Sequence, residues 1–188
     1  MSSWGTPRGT ATGTGVCGAD GLHALSAAID RLGRHASSWS PGRLADEGLD
    51  LVRDAAWADA SALVRVAGDR AVPLHRRPDG SRPGTGAPCA EVPLWWFPWG
   101  LAPVRPDRYL LVEAAGALPV RPGGGPTLGE LGYRSCLHLP LHERGGILGA
   151  LQVFWREPRL NWDDGRGRLL RTLGRFLLAH HPAGAGDP

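Results

Sequence analysis

Residues 131–162 read LGYRSCLHLPLHERGGILGALQVFWREPRLNW. Residues 134–141 alternate well enough for a strand, and residues 147–155 form a second apolar run broken only by Gln152. Between them, HERGG is turn chemistry, because glycine takes positive φ without a steric cost. The stretch therefore predicts a β-hairpin. Side chains alternate across a strand. Ser135, Leu137, Leu139 and Leu141 share one face, and Arg134, Cys136, His138 and Pro140 share the other. On the partner strand Leu148, Ala150, Gln152 and Phe154 alternate with Ile147, Leu151, Val153 and Trp155. Just beyond, Asn161 or Asp163 can cap a last helix, in which Leu169, Leu170, Leu173, Phe176 and Leu177 recur at three- and four-residue spacing and which Pro182 ends.

Working outward, residues 1–20 are rich in Gly, Ser and Thr and read as a flexible tail. Leu22, Leu25, Ala28, Ile29 and Leu32 then recur at helical spacing and predict a helix over 22–36, with a link to residue 40. Ser40 before Pro41 is an N-cap and first-turn pair, opening a second helix over 41–56. Residues 61–67 and 71–76 read as strands around a Gly68-Asp69-Arg70 turn, with Pro73 suited to an edge or a bulge. Residues 77–93 are a loop dense in Pro, Gly and Ser, and the aromatic run LWWFPWGL at 94–101 is interrupted by Pro98 and Gly100. Residues 109–112 form a short strand. Thr127 can cap a short helix for which Gly132 is a suitable residue just past the end. The last residues, 182–188, read as a loose terminus.

The 188 residues suit one domain with tails. Every basic residue is arginine, which together with abundant Ala, Gly and Pro points to base composition rather than to nucleic acid as a partner. The formal charge of +3 comes from arginines interspersed with acids, not from a basic block. Cys17, Cys89 and Cys136 have no CxxC spacing and do not make a secreted disulfide framework. No apolar stretch reaches a membrane span, and the N-terminus lacks the order of a signal peptide. The expectation is a cytoplasmic protein without a membrane or nucleic-acid partner. No nucleophile triad, phosphate loop or dinucleotide fingerprint occurs.

The wording goes beyond a generic hairpin. GYRSCLHLPL, then GILGAL, then WDD before a helix, resembles the C-terminal half of GAF domains, and RYLLVEAAGALP with FPW resembles the segments before it. The resemblance covers roughly residues 41–180 and places a GAF-like domain at 41–181. It implies an α+β fold: an antiparallel sheet of five or six strands with N- and C-terminal helices on one face. It also implies a loop-covered pocket on the other face, and a role in small-molecule sensing or dimerisation within signalling.

On that resemblance the leucines face the helices, and Cys136, His138 and Gln152 form the polar floor of a ligand pocket under an aromatic lid of Trp95, Trp96, Phe97 and Trp99. The plainer alternative makes His138 a satisfied histidine, Cys136 a small core residue and the tryptophans filling for irregular loops. Cys136, His138 and His142 have metal-ligand residue types but lie on one strand, so no metal site is expected. Covalent bilin attachment is not expected, because the segment before the hairpin, PTLGELGY, has no cysteine. A thiol reductase of the free methionine sulfoxide reductase type requires Cys89 and Cys136 to come together. Arg134 is assigned a structural pair with Glu113, Asp163 or Asp164. No output segment follows His181 in this sequence, so the expected partners are an unidentified small molecule and either a second copy or a separate signalling protein. The cofactor is unknown and no catalytic residue is assigned. The ligand-free interaction module is the second reading, supported by any exposed apolar stripe among Leu22, Leu25, Ile29, Leu32, Phe176 and Leu177.

Overall fold

A computed structural model describes residues 19–77, 92–93, 109–113, 128–129, 132–143 and 146–181. Two helices come first, α1 (Ala19–His35) and α2 (Pro41–Ala56). The Ser40 side chain accepts a hydrogen bond from the Arg43 amide at 3.3 Å, which satisfies one of the amides that the first helical turn leaves without a partner. Its other end stops less conventionally. Trp57 takes φ 49°, the Ala58 amide donates to Arg53 O at 2.9 Å and the Trp57 amide to Asp54 O at 3.2 Å. This is the closing pattern usually built on glycine, here on a tryptophan. The Arg166 guanidinium lies 5.2 Å from its ring.

Six strands and a third helix follow: β1 (Ala60–Ala67), β2 (Arg70–Arg77), β3 (Val92–Pro93), β4 (Leu110–Val112), β5 (Ser135–Glu143), β6 (Gly146–Trp155) and α3 (Asp164–His180). They form one antiparallel sheet in the order β3-β2-β1-β6-β5-β4. The expected α+β sheet with helices on one face is what the chain forms. Glu143 pairs with Gly146, so the late hairpin closes through residues 144 and 145. β1 and β6 meet at the centre, with Ala62 opposite Gln152 and Val64 opposite Ala150. Gly149 permits that pairing: a Cβ there would stand 2.1 Å from Val64 O. In β2 the register slips, so that Leu63 faces His75 while Val64 faces Pro73, leaving Leu74 as the extra residue beside the proline.

The three helices cover one face. Leu137, Leu139 and Leu141 of β5, with Leu151, Val153 and Trp155 of β6, bury against Leu25 and Leu32 of α1, Leu44, Leu49 and Val52 of α2, and Leu170, Leu173 and Leu177 of α3. Each fully buried leucine stabilises the fold by about 2 kcal/mol. Gly48 lets α2 approach α3, since a Cβ there would meet Leu177 Cδ2 at 2.6 Å. Polar side chains on this face are tied down. Ser61 Oγ donates to Leu49 O at 2.8 Å, Trp155 Nε1 donates to Ala56 O at 3.2 Å, and Arg65 Nη2 donates to Leu178 O at 3.0 Å. Asp163, not Asn161, caps α3 by accepting from the Gly165 amide at 2.8 Å.

The apolar stripe of α1 is spent inside the chain. Leu25, Leu32 and Leu177 are buried, and Ile29 and Phe176 pack half-buried against the same cluster. The helices therefore cover the sheet rather than leaving a stripe for a bundle. Arg134 corrects an expectation. Its side chain is exposed and forms no ion pair with Glu113, Asp163 or Asp164, because the strand face that carries it ends at the rim, where only its amide is used, donating to Trp155 O at 2.8 Å. No described helix is long and apolar enough to cross a membrane.

Candidate functional site

The second face of the sheet is built differently. Ala60 and Ala62 of β1, Val112 of β4, Cys136 of β5 and Phe154 of β6 form a separate cluster with Leu128 and Tyr133. The turn that delivers Tyr133 has a helix-stop geometry: Gly132 takes φ 80°, its amide donates to Gly129 O at 2.9 Å, and the Tyr133 amide donates to Leu128 O at 3.0 Å. Gly132 thus ends this turn as its sequence position implies, while Thr127 lies outside the described residues. Tyr133 then packs on Phe154, ring centroids 5.2 Å apart.

Polar groups are set into this face in rows. Arg76, Ala62, Gln152, His138 and Leu110 stand opposite one another on successive strands, and Ala60, Phe154, Cys136 and Val112 form the adjacent row. Paired residues of an antiparallel sheet project to the same side. Cys136, His138 and Gln152 therefore do come together on the face away from the helices, and all three are buried. Cys136 Sγ lies 3.1 Å from His138 Nε2, and Gln152 Nε2 lies 3.0 Å from His138 Nδ1. With the amide nitrogen turned to Nδ1, that ring nitrogen accepts and Nε2 carries the proton toward sulfur.

Burial decides the charge states. It lowers the His138 pKa from 6.5 to about 3 and pushes the Cys136 thiol well above its ordinary range. The pair is accordingly a neutral imidazole beside a protonated thiol, not a thiolate–imidazolium couple. A reactive cysteine needs the opposite shift. Gln152 Oε1 is buried and has no hydrogen-bond partner among the described residues. An amide oxygen left so in a protein interior carries a desolvation cost of about 1–3 kcal/mol.

Trp95, Trp96, Phe97 and Trp99 lie outside the described residues, as do Cys17 and Cys89, so the aromatic lid and the Cys89–Cys136 distance have no structural description here. Among the described residues no group of three His, Cys, Asp or Glu side chains comes together to hold a metal. A groove of about 490 Å³ lined by Arg65, His142, Leu148 and Arg175 sits near the C-terminal end of α3 and does not include Cys136, His138 or Gln152. Sequence reasoning missed Arg76 and Tyr133. Arg76 Nη2 donates to Tyr133 OH at 2.7 Å, and its guanidinium stands 5.8 Å from the ring centroid. The one sequence signal for Arg76 was Pro73: a bulge there resets strand parity and turns Arg76 to the face opposite Arg77.

An antiparallel sheet in this order with helices on one side is the fold of GAF domains, as the sequence resemblance implied. Solved structures with this fold include the GAF domain of an Acinetobacter phosphoenolpyruvate-protein phosphotransferase. It has 21% identity and a TM-score of 0.62 over 88% of this chain and 97% of that one. The phycoerythrobilin-bound GAF domain of a cyanobacterial phytochrome has 14% identity and a TM-score of 0.61, over 83% of this chain and 93% of that one. The free methionine-R-sulfoxide reductase of Neisseria meningitidis, in complex with its substrate, has 14% identity and a TM-score of 0.56, over 85% and 89%. These likenesses establish the fold. No family model matches the sequence, and no curated protein does.

Proposed function

We propose that this chain is a non-catalytic regulatory domain that senses a small molecule over the second face of its sheet and acts through dimerisation or a partner protein. The observation that carries the reading is the buried Cys136–His138–Gln152 set, in which Gln152 Oε1 has no hydrogen-bond partner among the described residues. The buried polar side chains of the helix face find backbone partners, as Ser61 and Trp155 do, whereas this oxygen finds none among those residues. A ligand that donates to Gln152 satisfies that oxygen, and it biases a conformational equilibrium only by binding one state better than the other. That the same fold occurs in a GAF domain with phycoerythrobilin bound and in a reductase in complex with its substrate is in keeping with a small-molecule ligand.

Two other readings are weaker. A ligand-free interaction module is favoured by spare apolar surface on α1 or α3, and most of those stripes pack against the chain's own core, with Leu22, Ile29 and Phe176 half-buried. A thiol reductase needs an ionisable cysteine, and burial raises the Cys136 pKa. The test is native mass spectrometry of protein purified from its own host, beside a Gln152→Leu variant of equal melting temperature. Sensing predicts an added mass that the variant loses. A clean apo species from both proteins sinks it.

A further inference from the structure

The second face holds a cation that the sensing reading does not use. β2 carries His75, Arg76 and Arg77 in succession. Two of the three turn to the helix face and are neutralised there: Arg77 Nη2 lies 2.8 Å from Asp50 Oδ2, and His75 Nε2 lies 2.8 Å from Asp46 Oδ1. Arg76 turns the other way and pairs with no carboxylate among the described residues. Its Nη2 donates to the Tyr133 hydroxyl, while Nε and Nη1 are buried without a hydrogen-bond partner among the described residues. The Tyr133 hydroxyl accepts that bond and so keeps its own proton to donate.

Arg76 is half-buried, and guanidinium N–H groups closed off from solvent without an acceptor are costly unless something anionic meets them. The side chains between Arg76 and Gln152 are small. Between Arg76 and Gln152 the only side chain in the row is Ala62, and the next row begins with Ala60. Strands stand about 4.8 Å apart, so the Arg76 and Gln152 backbones are about 10 Å apart, the span of a small molecule. At one end of that span are idle cationic donors; at the other is the idle acceptor Gln152 Oε1. We propose that the ligand of this face carries a carboxylate, which Arg76 and the Tyr133 hydroxyl bind, and an N–H or O–H that donates to Gln152 Oε1. A planar carboxylate suits a guanidinium edge, which offers two parallel N–H bonds in one plane. The assignment rests on the sensing reading for the place of the ligand and adds its chemical class.

The test uses acetate and its neutral counterpart acetamide as probes on the full chain, read by nitrogen-15 NMR of the Arg76 Nε–H and of the Gln152 side-chain amide. Acetate is expected to shift the Arg76 Nε–H saturably, with affinity about tenfold above that of acetamide. Arg76→Gln abolishes the acetate preference seen at the Gln152 amide, whereas Gln152→Leu leaves the Arg76 response to acetate in place. Equal responses to the two probes overturn the assignment. So does an acetate response at Gln152 that survives Arg76→Gln, or no saturable shift at any concentration at which the protein stays soluble. If Arg76→Gln does not fold, the acetate–acetamide comparison in the unmodified protein decides. A neutral molecule retained from the host, with Arg76 silent to acetate, removes the carboxylate and keeps the sensing reading. A clean apo protein whose Arg76 answers to acetate does the reverse.

Discussion

Acidification is the sharpest perturbation available for the buried trio. In the folded chain His138 stays neutral down to about pH 3, whereas in the unfolded chain it takes a proton below about 6.5. Between those values the unfolded state binds more protons, so stability falls as pH falls, and above 6.5 this group contributes no slope. Each pH unit in the window corresponds to about 1.4 kcal/mol, and the whole window to about 5 kcal/mol. That is a large share of the 5–15 kcal/mol that ordinary domains possess. Urea unfolding at a series of pH values measures it. Carboxylates titrate in the same window, so the diagnostic quantity is the difference between the unmodified chain and His138→Phe. The variant should lose about 1.4 kcal/mol of slope per unit between pH 6 and pH 4. Identical slopes in the two proteins would refute the reasoning, as would an NMR titration placing the His138 pKa above about 5. The NMR titration also serves if His138→Phe does not fold.

Three further outcomes follow from the packing. Cys136 should resist iodoacetamide in the native protein at pH 8 and react once unfolded, with peptide mass spectrometry locating the label; rapid native labelling contradicts the raised thiol pKa. Gly149→Ala should destabilise far more than Gly48→Ala, because its Cβ strikes the backbone oxygen of Val64 at 2.1 Å while the other meets the mobile end of Leu177 at 2.6 Å; thermal melts ranking them the other way refute the β1–β6 register. Leu139→Ala, on the helix face, should cost about 3 kcal/mol in urea unfolding, and Cys136→Ala, on the opposite face, about 1–2 kcal/mol. Similar costs would mean that the two faces share the stability evenly.

Parity made much of this legible in advance. In β5 and β6 the period-two pattern runs far enough to sort Leu137, Leu139 and Leu141 from Cys136 and His138, and the structure keeps that sorting. Ser40-Pro41 and Gly132 were readable because capping chemistry is local. Arg76 was not, because one extra residue at Leu74 inverts every side chain beyond it. Nor could two-residue spacing reveal that His138 bridges Cys136 and Gln152, since that bond set crosses from one strand to the next. The αL stop at Trp57 had no sequence signal, as tryptophan rarely takes that conformation. β3 went unnoticed because its residues, Val92 and Pro93, fall at the end of a stretch dominated by loop composition. The trio's place on the second face could be read from the hairpin; that of Arg76, in the same row, could not.

The central pairing of β1 with β6 has a kinetic side. Ala60 and Phe154 are neighbours in the sheet yet about 90 residues apart along the chain, a closure costing about 4 kcal/mol of chain entropy. The β1–β2 and β5–β6 hairpins pair residues close in sequence. The β1–β6 pairing joins them over a long stretch of chain, and it sets Gln152 opposite Ala62 and so assembles the polar face. Until the two hairpins meet, Arg76 and Gln152 belong to separate pieces of chain. The polar face thus rests on the longest-range strand pairing among the described residues.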